Sequence, residues 1–399
     1  MNNENSDPRN GLPVLPGRGG GRGFLLMILI VLSVYAGINA YLLGQVVYAS
    51  QLHGVARGLL FVLFIIWSAS YPIGRMIPNK YAVSKFFRVA GAWYLAVMIY
   101  SLLFTILIDV FSIAAILFKW FPPEFFNHPA WSRGLLLVTA GAVLIIVVVG
   151  HIRSIVPKMR EMDVRVVEWP EGRPPIRLAL VSDLHLGAVV GASRVRRLVH
   201  RLEKDKPDLL CFVGDMVDED PAGLGRHLES LKGFKLPLGI FGVTGNHEYY
   251  NGRDEAVALM EEAGIRVLSE EGVVIDDSFL LIGAEDRPGA FQKGVQLEPL
   301  EEMIRRVSLD GFPKILLHHT PVLMEEADMA GVALQISGHT HGGQIWPSVY
   351  TTYRAYGIAH GWISFPKGMR LYVTSGLGSW GPPVRVGSYP EIVILKLHG

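Results

Sequence analysis

"IRLALVSDLHLG", Ile176 to Gly187, is an apolar run that stops at once on an Asp-x-His step. Pro174 and Pro175 precede it, and a short apolar run bounded by turn residues reads as a buried strand. That strand carries Asp183 and His185 at its carboxyl end. The same arrangement recurs downstream. LLCFVGDMVDED sets Asp215 and Asp218 after an apolar run, IFGVTGNHEYY sets Asn246, His247 and Glu248, ILLHHTP sets His318 and His319, and LQISGHTHGG sets His339 and His341. Each piece alone has a plain reading as a turn, a cap or a solvated strand end. His339-Thr-His341 is the strongest, because alternation places both imidazoles on one face of an extended segment.

Around these segments, short elements alternate. Val164–Trp169, Leu209–Val213, Ile240–Thr244, Phe279–Ile282, Lys314–Leu317, Leu334–Ser337 and Glu391–Leu397 read as strands, with helical spacing over Arg194–Lys204 and Asp254–Ala263. Strands alternating with helices, and then mostly strands, predict layered sheets flanked by helices. Loops at the carboxyl ends of strands in open α/β sheets converge on one crevice, so Asp, His and Asn side chains from all these loops are expected at one place.

The donor types then narrow the chemistry. Imidazole and carboxylate without thiolate suit manganese, iron or zinc in a reactive site rather than a sulfur-rich structural one. Two divalent ions held by two carboxylates and otherwise neutral ligands retain positive charge, which an attacking oxygen anion and a phosphate would balance.

The N-terminal part reads differently. Half of the 399 residues are hydrophobic and 18% are charged, and the excess is concentrated early. Phe24–Leu52, Gly58–Gly74 and Gly134–Gly150 carry no charge, and Val89–Phe118 carries only Asp109. Runs of roughly 17–25 apolar residues match a bilayer, so about four transmembrane helices are expected over 24–152, after a polar tail over 1–23. Val89–Phe118 exceeds one span, so either Val110–Phe118 is an interfacial turn or Asp109 marks a helix end. With one candidate charge in the spans, anchoring is a better reading than transport.

Arg9, Arg18 and Arg22, then Arg75, Lys80, Lys85 and Arg88, then Arg153, Lys158, Arg160 and Arg165 fall in alternate connections. Positive charge marks the cytoplasmic side, which predicts both termini there. A juxtamembrane basic linker is expected over 153–163 and the reactive domain over 164–399. A lone cysteine, Cys211, permits no internal disulfide. A net charge near +1 gives no ground for nucleic-acid binding, and the basic segments suit anionic lipid. Nothing in the sequence points to a protein partner.

In their order, Asp-x-His, Gly-Asp-x-x-Asp, Gly-Asn-His-Glu, a later His and Gly-His-x-His resemble the calcineurin-like metallophosphoesterase superfamily, from about Val164 to Leu397. The GHTHGGQIWP extension and the TSGLGSWGPPVRVGSYPEI ending resemble its membrane-associated bacterial branch. The resemblance implies a double β-sandwich flanked by helices, and a phosphodiesterase or pyrophosphatase acting near lipid at a bacterial inner membrane, its catalytic domain lying in the cytoplasm by the charge pattern above.

It also implies roles. Asp183, His185 and His341 would hold one metal, Asn246, His319 and His339 the other, with Asp215 bridging and His247 beside the substrate phosphate. His319 is chosen over His318 because Thr320–Pro321 completes a His-x-Pro pattern. Asp218 and Glu248 are expected to orient ligands, and Arg287 and Arg385 are candidates for gripping a second phosphate or head group. The expected substrate is a lipid head group or lipid-linked nucleotide. Hydrolysis of a soluble phosphoester or cyclic nucleotide, and a metal-binding scaffold without catalysis, stand as alternatives.

Overall fold

The computed structural model describes residues 21–78, 81–218 and 221–399. The tail up to residue 20, with Arg9 and Arg18, and Lys80 lie outside the described residues. The chain divides into two compact units, one spanning Pro13–Gly150 and the other containing His151–Gly399.

Leu25–Ser50, Gly54–Met76 and Ala82–Leu117 in the first unit, and Pro129–Ile155, which runs on past its end, are helices long and apolar enough to cross a membrane. Leu29, Val62, Phe111 and Ile145 are among the large apolar side chains they expose, as a lipid-facing surface requires. Asp109 is neither at a helix end nor before a turn, because Ala82–Leu117 runs unbroken. Its carboxylate accepts a hydrogen bond from the Tyr41 hydroxyl, with Gln45 Nε2 at 3.3 Å. A carboxylate supplied with such donors is tolerated where an unpaired one would not be.

The second unit contains β1 (Lys158–Arg165), β2 (Ile176–Val181), β3 (Leu209–Val213), β4 (Ile240–Val243), β5 (Arg266–Val267), β6 (Glu271–Ile275), β7 (Phe279–Ala284), β8 (Lys314–His318), β9 (Val332–Ser337), β10 (Gly361–Ser364), β11 (Arg370–Val373) and β12 (Glu391–His398). One sheet has the order β1-β12-β2-β3-β4-β5 and the other β10-β11-β9-β8-β7-β6. The segment expected as a linker over 153–163 is instead the end of a helix at Ile155 followed by β1, which pairs in parallel with β12 from Lys158↔Glu391 onward. Its sequence KMREMDVR hides the strand because β1 is a sheet edge with mostly exposed side chains.

Alternation in β2 explains the layering. Ile176, Leu178 and Leu180 pack with Leu281, Leu317 and Ile336 of the other sheet, whereas Ala179 and Val181 face Val195, Leu198 and Leu202 of the helix Ala192–Asp205. On the far face of the second sheet, Leu280, Ile282 and Leu316 meet Met303 and Ile304 of the helix Leu300–Val307. The result is two sheets face to face with helices outside, a double sandwich. Each fully buried Leu or Phe, such as Leu178 and Phe279, contributes about 1.5–3 kcal/mol relative to exposure.

Candidate metal centre

Strands β2, β3 and β4 are mutually parallel, as are β7, β8 and β9, so each set presents its carboxyl ends together. The polar loops follow β2, β3, β4, β8 and β9, and among the described residues their side chains form three groups of possible ligands. These are Asp183 with His185 and His341, His185 with Asp215 and His247, and Asp215 with His319 and His339, the donor atoms of each group lying within 4.8 Å of one another.

The backbone is bent to achieve this. Asp183 (φ 54°), His185 (47°), Asp215 (52°), His339 (69°) and His341 (51°) all occupy the left-handed region. Such conformations cost on the order of 1–3 kcal/mol each for residues with a Cβ, and they persist where surrounding structure enforces them. Two glycines make room. A Cβ on Gly245 would sit 2.2 Å from Asp215 Oδ1, and one on Gly338 would sit 2.0 Å from Ser182 Oγ and 2.5 Å from Asp183 Oδ2.

In the first group, His185 Nε2 lies 3.0 Å from His341 Nε2. Asp183 Oδ1 lies 3.9 Å from His185 Nε2 and 3.5 Å from His341 Nε2, and Asp215 Oδ2 lies 3.7 Å from His185 Nε2. Asp183 is oriented by the Ser182 hydroxyl, which donates to Oδ2 at 2.5 Å, and by the His339 amide at 3.0 Å from Oδ1. Burial, then the neighbouring His185 and Arg385, hold His341 well below its ordinary range. A neutral imidazole keeps a lone pair for a metal.

In the second group, His319 Nδ1 donates to the Val213 carbonyl at 2.7 Å, which leaves Nε2 as the nitrogen directed 3.1 Å from Asp215 Oδ2. That orientation is how a ligating histidine is fixed from behind. Burial opposes the Asp215 charge, but His319 and then His247 outweigh it and hold the carboxyl well below the carboxylate range. Asn246 Oδ1 and His339 Nδ1 are buried and make no hydrogen bond. Buried acceptors left this way are costly unless a partner joins them, and oxygen and imidazole donors around a carboxylate are what a divalent transition ion takes. The residues fit the metal.

His318 is different. It ends β8 fully buried, neither ring nitrogen has a hydrogen-bond partner, and it belongs to none of the three groups. Burial, then Arg287 and His319, keep it well below its usual range.

Asp218 Oδ1 stands 3.6 Å from His185 Nδ1 and 3.7 Å from His247 Nδ1. Glu248 accepts the amides of Asp215, Met216, Val217 and Gly245 at 2.7–3.0 Å, tying the loop after β3 to the loop after β4. Arg287 does not reach outward. It is buried and paired through Nη1 and Nη2 with Glu270 at 2.5 and 2.9 Å. Arg385 is fully buried too, and donates to the carbonyls of His341, Ser375 and Gly378, bracing the loop that carries His341. Neither guanidinium is placed to grip a substrate phosphate, because their Nη donors are spent on the protein.

Sequence reasoning missed Tyr356, whose hydroxyl lies 2.8 Å from His339 Nε2 and fixes that ring from behind. It also missed Trp380 and Tyr250, whose rings lie 6.2 and 5.8 Å from that of His247 and which stay 51% and 38% exposed. No local signal marks Tyr356. The aromatic density of Tyr350–Trp362 was the available hint.

Comparison with known proteins agrees with this geometry. Residues 176–343 match the family model described as calcineurin-like phosphoesterase. An uncharacterized metallophosphoesterase of Aquifex aeolicus is 33% identical over 251 residues, covering 62% of this chain and 95% of the relative. An uncharacterized metallophosphoesterase of Campylobacter jejuni is 31% identical, covering 61% of this chain and 64% of the relative. A transmembrane protein with metallophosphoesterase domain of Danio rerio is also 31% identical, covering 60% and 57%. The chain thus spans less than two thirds of the length of the last two.

Proposed function

The chain belongs to the calcineurin-like metallophosphoesterase family, and from that premise we propose that it is a membrane-anchored hydrolase. Using two divalent ions, it cuts a phosphodiester or pyrophosphate bond in a lipid head group or lipid-linked nucleotide. The observation that carries this reading is the position of Asp215, shared between a ligand group with His185 and one with His319 and His339. Asp183, His185 and His341 would hold one ion and Asn246, His319 and His339 the other, with Asp215 a ligand available to both. Manganese, iron and zinc all suit these donors. When bound, such a pair supplies positive charge to the phosphoryl oxygens and lowers the pKa of a water.

The chain's own groups do the rest. His247 keeps 12% of its side chain exposed, and its Nδ1 stands 3.3 Å from the Asp218 carbonyl. With Nδ1 donating there, Nε2 is the nitrogen left, and in the imidazolium form it would carry the proton given to a leaving oxygen. Trp380 and Tyr250 beside it offer apolar surface to a substrate with an apolar part. Four apolar helices on the same chain support a lipid substrate, since confinement raises its effective concentration. Arg75, Lys85, Arg88, Arg153 and Lys158 support a cytoplasmic hydrolase domain.

The test is hydrolysis by the manganese-loaded full chain in detergent of an aryl phosphodiester, phospholipids and a lipid-linked pyrophosphate. Turnover of the lipid substrates above the aryl ester is expected. Preference for soluble esters would overturn the lipid reading, and hydrolysis of none would overturn the enzyme.

A further inference from the structure

Away from the metal ligands, the helix Ala192–Asp205 begins at Gly191, which has no side chain to cap the amides of the first turn. Those amides carry the positive end of the helix dipole. Arg194, in the same turn, is only 5% exposed. Its Nη2 donates to the Ser154 carbonyl at 2.7 Å, while Nε and Nη1 have no hydrogen-bond partner. Ser379 Oγ is likewise buried and without one. Gly191, Ser193, Arg194, Arg197 and Ser379 line one cavity of about 220 Å³, and no carboxylate lines it among the described residues.

A buried guanidinium normally meets a carboxylate or another anion, because desolvating its charge unpaired is costly. Here the neighbouring charge that acts on it is another cation, Arg197. Burial and then Arg197 lower the Arg194 pKa to about 10. A capless helix start, two arginines and a hydroxyl form the donor set that oxyanions of phosphorus take. The cavity is several times the ~30 Å³ share of one water, enough for a tetrahedral oxyanion.

We propose that this cavity is a second, non-catalytic site that binds a phosphate group, taken from a phospholipid head group or from free phosphate, between the start of the helix Ala192–Asp205, Arg194, Arg197 and Ser379. His151, Ser154 and Ile155, which also line it, close the last helix long enough to cross a membrane, so a head group is the source nearest in sequence. The inference does not depend on the hydrolase reading, because none of these residues belongs to the metal ligand groups.

The test compares melting temperatures of the metal-loaded full chain in detergent, with sodium phosphate or dihexanoyl phosphatidylglycerol as probe and potassium chloride at equal ionic strength as the blank. The variants are Arg194→Gln, Arg197→Gln, Ser193→Glu and Arg196→Gln. Phosphate binding at the metal centre is common to all, so the difference between wild type and variant reads this site. Saturating probe raises the wild-type melting temperature by roughly 3–6 °C more than that of Arg194→Gln or Arg197→Gln. Arg196→Gln, which does not line the cavity, responds as wild type. Ser193 is exposed, so Ser193→Glu keeps the fold and sets a tethered carboxylate at the cavity, and its response is lost. A response to sodium phosphate assigns free phosphate, and one to the phospholipid alone assigns the head group. If neither probe separates wild type from Ser193→Glu, the site does not exist.

Discussion

Asp215 Oδ2 and His319 Nε2 face each other at 3.1 Å, with the histidine fixed from behind by its Nδ1 bond to the Val213 carbonyl. The pair predicts that Asp215→Asn, which keeps shape and removes charge, lowers bound metal and reduces kcat by 10²-fold or more. His319→Ala is expected to lose metal as well. His318→Ala destabilises by about 2–4 kcal/mol through its buried cavity but keeps full metal stoichiometry. Elemental analysis of the three purified variants decides. Metal loss in His318→Ala with retention in His319→Ala would reverse the assignment.

Tyr356 meets His339 Nε2 through its hydroxyl and packs its ring against the imidazole. Removing a group that orients a ligand typically weakens metal affinity 10- to 100-fold. Tyr356→Phe should therefore leave the melting temperature within about 1 °C while one of two metals dissociates at lower chelator concentration. An unchanged chelator titration would show that the hydroxyl is dispensable.

Gly338→Ala would push a methyl to 2.0 Å from Ser182 Oγ and 2.5 Å from Asp183 Oδ2. Since Ser182 and Asp183 are both buried, the loop rather than the side chains must give. The expected outcome is a loss of about 2 kcal/mol or more in stability together with reduced metal content. Wild-type values for both would mean that the β2 and β9 loops are not packed this closely.

Glu391 gives a pH dependence. Burial opposes its charge, but the hydrogen bond and charge of His360, with donors from Ser375 and Thr374, hold its pKa at about 2. A folded-state value below the ordinary 4.5 means stability fully present above pH 4.5 and lost as pH falls through about 2. The shift corresponds to roughly 3 kcal/mol. In acid titrations followed by tryptophan fluorescence, Glu391→Gln should be less stable than wild type at pH 7 and should lose less between pH 4.5 and 2. Parallel acid curves would remove Glu391 as the cause.

Most of the centre was legible because it sits where strands end. β2, β3, β8 and β9 are short apolar runs, each followed at once by its polar residues, so period and punctuation agree. What stayed hidden depends on long-range pairing or on burial. β1 is a polar edge strand whose partner lies at the other end of the domain, Tyr356 reaches His339 from a separate helix, and Arg385 reads as a phosphate-gripping candidate until its burial is known. Arg194 is hidden for the same reason. A helix start rich in arginine looks solvated, and the sequence does not reveal that one guanidinium is enclosed.

The pairing of β1 with β12 sets a timetable for biosynthesis. β1 emerges from the ribosome directly after the last apolar helix, whereas its hydrogen-bonding neighbour, which also separates it from β2, is made only at residues Glu391–His398. Through the synthesis of every intervening strand, β1 lacks the neighbour that joins it to the sheet. Closure of this edge therefore comes last, with the first strand of the domain waiting on its final one.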